Sequence, residues 1–191
     1  MSLAALLLRW QAKLCLLLGR HEAATQIFQN ILVRAPDDLL ALNSLGYAAL
    51  QRGRHALALG YFDRVVQAHP LDANAHFNRA FVCEAMGQLD DAALAFHAAI
   101  ERESTMDRAW YGLGLVLVQQ GRLQQALQVF QRNTELQPMS PYGWYQMARV
   151  HMDMQQEVQA LGVLQHLEGF EPKVAAQLAR EMDAIKETSK P

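Results

Sequence analysis

Apolar and small residues recur along this chain at α-helical spacing, interrupted at regular intervals by glycine and proline. Over residues 107–140, Trp110, Leu113, Gly114 and Leu117 fall at i, i+3, i+4 and i+7, one face of a helix. Gly121 then predicts a helix end, because glycine takes the left-handed conformation without a Cβ clash. A second stripe follows in Leu123, Ala126, Leu127 and Phe130. Pro138 closes the segment by disfavouring helix in the residue before it. Asp38, Asp72 and Ser140 stand where a helix begins and are expected to accept hydrogen bonds from its free amides. Pro141 fits the first helical position, where a missing N–H costs nothing.

The same two-helix pattern returns every 34 residues. Gly19, Gly53, Gly87 and Gly121 keep that step, as do Ala24, Ala58, Ala92, Ala126 and Ala160. Phe28, Phe62, Phe96 and Phe130 do so too, with Leu164 in the fifth slot, and so do Pro36, Pro70, Pro138 and Pro172, with Ser104 once for proline. Gly46, Ala80, Gly114 and Ala148 hold one position on successive first helices. Small residues there and in the alanine column allow paired helices to approach at the short end of the ~8–10 Å range. The phenylalanines are expected to fill the gap between one pair and the next.

Trp110-x-x-Leu113-Gly114, then Ala126-x-x-x-Phe130, then Pro138 resembles the tetratricopeptide repeat, a 34-residue helix–turn–helix unit. The resemblance implies an all-α, right-handed α-solenoid of five repeats, 5–38, 39–72, 73–106, 107–140 and 141–174, forming a single array. Departures are local. Leu8 and Gln11 take the tryptophan and leucine slots of the first repeat, His76 and Arg79 those of the third, and the fifth lacks the glycine between its helices. Residues 173–187 read as a capping helix, apolar at Val174, Leu178, Met182 and Ile185, with Lys173, Gln177, Arg180, Asp183 and Lys186 facing elsewhere. A half-polar terminal helix covers the open end of a solenoid.

Composition narrows the function. Half the 191 residues are hydrophobic and the formal net charge is −2, which argues against disorder and supplies no basic field for a nucleic acid. The leucine-rich start carries Arg9 and Lys13, lacks a cationic n-region and is followed by no small-residue cleavage site. A cytoplasmic location without membrane insertion is therefore expected. Arginine outnumbers lysine thirteen to four, the usage of a GC-rich bacterial source. The seven histidines form no i, i+4 ligand pair, so no metal is expected. His21 and His55 read as solvent-facing, His76 and His151 as hydrogen-bonded core-side groups. Cys15 and Cys83 read as small core residues. Gly112-Leu113-Gly114 lies inside a helix and is no phosphate loop, and Asp90-Asp91 opens one. No nucleophile motif or cleft carboxylate pair appears, so neither an enzyme nor a cofactor is expected.

Function is placed on the first helices. Their second stripe reads Arg9, Asn43, Phe77, Tyr111, Tyr145 in one column and Lys13, Tyr47, Phe81, Leu115, Arg149 in the next, beside Asn74, Asn78, Arg108, Tyr142 and Gln146. Stacked repeats would line these along an inner, concave surface. Asn43, Tyr47, Asn74, Phe77, Asn78, Arg108, Tyr111, Tyr145 and Arg149 are the expected peptide-binding groove. Rings supply area at low rotamer cost, amides pair with an extended backbone, and arginines fork onto carboxylates. The clamp by which some relatives hold a chaperone's C-terminal carboxylate is matched only in part, by Asn43, Asn78 and Arg108. The expected role is a protein-interaction scaffold for a protein or peptide partner. The alternative is self-assembly, possible as a homodimer, through Leu3, Leu6, Leu7, Trp10 and Leu14 of the first helix, since large exposed apolar patches mark contacts.

Overall fold

The computed structural model describes the backbone of residues 3–188 and the side chains of 5–184. Every element among them is an α-helix: α1 (Leu3–Leu17), α2 (His21–Arg34), α3 (Leu39–Gln51), α4 (His55–Ala68), α5 (Ala73–Ala85), α6 (Leu89–Arg102), α7 (Asp107–Gln119), α8 (Leu123–Leu136), α9 (Pro141–Asp153), α10 (Glu157–Glu168) and α11 (Pro172–Thr188). They fall into two compact units, α1–α6 up to Arg102 and α7–α11 from Glu103.

The short turns explain the glycine column. Gly19, Gly53, Gly87 and Gly121 all have φ between 67° and 72°. Gln155 stands where the next glycine would fall and adopts φ 58° regardless, a conformation that costs an L-residue about 1–2 kcal/mol. Asp38 accepts from the Ala41 amide at 2.9 Å and Asp72 from the Asn74 amide at 2.9 Å. Ser140 occupies the cap position, but its side chain makes no capping bond. There the entry rests on its extended backbone and on Pro141, whose φ is preset for the first turn.

In the first unit α1 packs on α2, α3 on α4 and α5 on α6. Phe28, Phe62 and Phe96 are almost completely buried. Their rings do more than fill the gap between pairs: Phe62 lies directly against α3 of its own pair, its Cε1 2.7 Å from where a Cβ on Gly46 would stand. Arg79, in a leucine slot, donates to Asp63 of α4 at 2.8 Å, so the departure introduces a paired charge. His76, in a tryptophan slot, bonds the Pro70 carbonyl through Nε2 at 2.9 Å. A carbonyl only accepts, so this nitrogen carries the proton.

The second unit repeats the plan with α7 on α8 and α9 on α10. Phe130 Cε1 sits 2.4 Å from a Cβ placed on Gly114. Trp110 and Trp144 donate through Nε1 to the carbonyls of Ser104 and Pro138, at 2.8 and 2.9 Å, the bond that His76 makes six residues back in the first unit. Buried Asn133 donates to the Asp107 carbonyl at 2.8 Å. Its Oδ1 lies 2.3 Å from a Cβ built on Gly143, so only glycine fits there. On α11 the core face is Ala175, Leu178 and Met182, packed with Ala148, Ala160, Val163 and Leu167. Val174 is only half-buried, because Ala175 takes the inward place, and the side chain of Ile185 lies outside the described residues.

Gly114→Ala and Ala126→Leu should each lower stability by about 1–3 kcal/mol through overpacking. Gly60→Ala, where a Cβ meets nothing within 4 Å, should raise it by about 0.5–1 kcal/mol. Urea unfolding checks all three, and an unchanged midpoint for Gly114→Ala contradicts the packing described.

Candidate functional site

In the first unit, α3 and α5 present the predicted side chains on one face, tied by hydrogen bonds. The Tyr47 hydroxyl donates to Asn78 Oδ1 at 2.8 Å. Asn78 Nδ2 donates to Asn43 Oδ1 at 3.3 Å, and Asn43 Nδ2 to the Leu39 carbonyl at 3.0 Å. Asn78 is only 5% exposed, so its amide is an internal link, as a buried polar group requires. Tyr47 keeps 48% of its surface exposed, with its ring edge-on to Phe62 at 5.5 Å. Phe77 is half-buried and makes a T-shaped contact with Phe96 at 5.8 Å, while Asn74 is exposed. Arg9, which heads the same sequence column, pairs instead with the buried Asp38 carboxylate.

In the second unit, α7 and α9 carry Arg108, Tyr111, Tyr145 and Arg149. Tyr111 is half-buried between Phe130, at 6.0 Å, and Tyr142, at 6.5 Å. Tyr142 is 68% exposed and is the ring this unit offers most openly. Gln146 reaches the Tyr111 hydroxyl at 3.5 Å. Arg108 and Arg149 are exposed, with the Arg149 guanidinium 5.9 Å from the Tyr145 ring centre, within cation–π range.

Tyr145 has a second role that its spacing does not reveal. Its hydroxyl donates to Glu181 of α11, with both carboxylate oxygens 2.6–2.7 Å away. Gln177 donates to that hydroxyl at 3.4 Å and to Glu181 at 3.1 Å. Gln177 therefore faces α9, contrary to the expectation that it points elsewhere, and Glu181 is a site residue the periodicity left unmarked. Burial and the carboxylate partner push the Tyr145 pKa up. The Tyr145 hydrogen bond holds the Glu181 carboxyl below its ordinary value. Arg149, Met152, Asp153, Glu181 and Ala184 line a shallow hollow beside this contact.

On α1, Leu6, Leu7, Trp10 and Leu14 lie at the surface, with Trp10 65% exposed and Lys13 5.8 Å from its ring centre. The side chain of Leu3 lies outside the described residues. His21 is exposed and His55 half-buried. His151 pairs with Gln156 at 2.8 Å. Cys15 and Cys83 are free thiols, the latter fully buried. Among the described residues no three metal-ligating side chains gather, and no helix is long and apolar enough to cross a membrane.

These helical pairs, with glycine turns and aromatic-bearing first helices, define a helical-repeat protein. The family model for the tetratricopeptide repeat matches residues 18–73, 43–83 and 84–141, and the chain belongs to that family. Among solved structures it is similar to MamA, at 17% identity, TM-score 0.84, over 92% of this chain and 96% of that one. A MamA fragment from Desulfovibrio magneticus RS-1 aligns at 21% identity and TM-score 0.80, over 96% and 99%. YrrB, described as a TPR protein with an unusual peptide-binding site, aligns at 19% and 0.78, over 88% of each. At these identities the likeness is one of fold. No curated protein matches in sequence.

The Tyr145–Glu181 contact should depend on pH with a definite sign. The lowered Glu181 value means its contribution is full above the ordinary glutamate range and is lost as pH falls through the folded value, which lies under that range. Tyr145→Phe should raise the Glu181 pKa and shrink the stability difference between pH 6 and pH 3. NMR titration of the Glu181 carboxyl carbon checks this, and an unmoved midpoint contradicts it.

Proposed function

We propose that the chain is a non-catalytic scaffold that holds a protein or peptide segment against the first-helix faces, α3 and α5 in one unit and α7 and α9 in the other. The observation that supports this reading is the division of aromatic rings. The second-helix rings Phe28, Phe62, Phe96 and Phe130 are buried, whereas Tyr47, Phe81 and Tyr142 on first helices remain about half exposed or more. Rings the core leaves outside, beside exposed Asn74, Arg108 and Arg149, suit an extended peptide that offers apolar side chains and carboxylates. In this reading Asn43 and Asn78 position Tyr47, and Tyr111 and Tyr145 form the floor beside Tyr142. A peptide-binding TPR neighbour of similar fold is in keeping with it. The five repeat boundaries and a bacterial, cytoplasmic setting belong to the same proposal and rest on sequence.

Tyr111→Ala combined with Tyr142→Ala should abolish capture of partners by the immobilised chain while leaving the helical circular-dichroism signal intact. Undiminished capture, scored by mass spectrometry, excludes the second unit's face.

A second reading, homo-oligomerisation through α1, is favoured by Leu7, Trp10 and Leu14, each more than half exposed on one helix, and by Leu17 at 83%. Sedimentation at rising concentration should then show a dimer that Trp10→Glu dissociates. A monomer throughout rules it out.

A further inference from the structure

A hollow of about 460 Å³ lies between the α1–α2 pair and α3, lined among others by Leu16, Thr25, Phe28, Tyr47, Ala48 and Arg52. Its volume is in the ~300–1,000 Å³ range of ligand sites. A smaller hollow shares Thr25, Ala48 and Arg52 and extends to Arg54 and Leu57. The cause can be read from the 34-residue columns. Thr25 and Ala48 stand where the following pair has Leu59 and Val82. Val82 is fully buried, and Leu59 packs on the cluster it forms with Ala49, Ala58 and Phe62. Val116 and Val150, further along the Ala48 column, are buried as well. Ala48 omits the branched methyls that valine supplies at 82, 116 and 150, and Phe28 is left as a floor.

The rim is cationic. Arg52 lines both hollows, and Arg20 and Arg54 hold the N-cap positions of α2 and α4 in the two adjoining turns. Among the described residues none of these three side chains has an ion pair or hydrogen bond. Glu22 is the one carboxylate in residues 18–22 and 52–56. Elsewhere in the unit Arg9 and Arg79 are paired with aspartates, so unpaired arginines are concentrated at this edge.

We infer that this hollow is a socket for one large apolar side chain of an acidic peptide segment, its carboxylates met by Arg20, Arg52 and Arg54. The inference rests on the scaffold reading but not on the second unit's aromatic face; its floor and walls come largely from α2 and the end of α3, and it shares Tyr47 with the first unit's face. An apolar anchor in a pocket with charge at the rim is the arrangement that concentrates binding energy in few residues.

The test uses the full chain and three capped synthetic peptides: tryptophan flanked by acidic residues, the same peptide with alanine for tryptophan, and tryptophan flanked by lysines. The acidic tryptophan peptide should shift the backbone amide NMR signals of Thr25, Ala48 and Arg52, and the other two should bind at least tenfold more weakly. Ala48→Val, a side chain the fold already accepts at 82, 116 and 150, should weaken binding tenfold or more without lowering the melting temperature. Arg52→Glu should do likewise, whereas Tyr111→Ala with Tyr142→Ala should leave the peptide bound. Absence of binding, equal binding of all three peptides, or full affinity in Ala48→Val overturns the socket. If Ala48→Val leaves cell-partner capture unimpaired and the double tyrosine variant loses it, the socket is discarded and the scaffold reading stands.

Discussion

The close approach of α3 to α4 and of α7 to α8 depends on the absence of a Cβ under a phenylalanine ring. At Gly46 and Gly114 a Cβ would lie 2.4–2.7 Å from the nearest carbon of Phe62 and Phe130, closer than side chains can come. Ala80 and Ala148 hold the same column with no exposed surface. Phe62 and Phe130 are thereby drawn inside and packed against the first helix as well as the second. An interior at crystal-like density gives little when a methyl is added. The column of small residues is therefore as much a packing constraint as the ring it admits.

That constraint has a consequence for the surface. With the core satisfied by the second-helix rings, the outer stripe of each first helix is released from packing and can carry polar and aromatic groups. The stripe is still ordered. Tyr47, Asn78 and Asn43 form a hydrogen-bonded chain across α3 and α5, and Tyr145 is held by Glu181 and Gln177 of α11. Side chains fixed before a partner arrives lose less entropy on binding.

Much of this was legible in the residues. The glycine turns, the aspartate caps, the buried phenylalanines and the all-α hairpin plan follow from local physics that repeats every 34 positions. What was not legible involves pairs far apart in sequence. Nothing in the pattern joins Arg9 to Asp38, Arg79 to Asp63 or Tyr145 to Glu181, because each pair forms only when two elements dock. The left-handed Gln155 shows the opposite case: the turn keeps its geometry after losing its preferred residue, since the flanking helices determine it. Asn78 illustrates the limit for the site. Spacing places it on the first-helix face, but only packing reveals that it lies beneath Tyr47.

The claim that first-helix faces receive the partner is tested most directly by amide hydrogen exchange with and without a captured partner segment. Protection should rise on α3, α5, α7 and α9 and stay unchanged on α4, α6 and α8. Protection confined to the second helices would contradict the account.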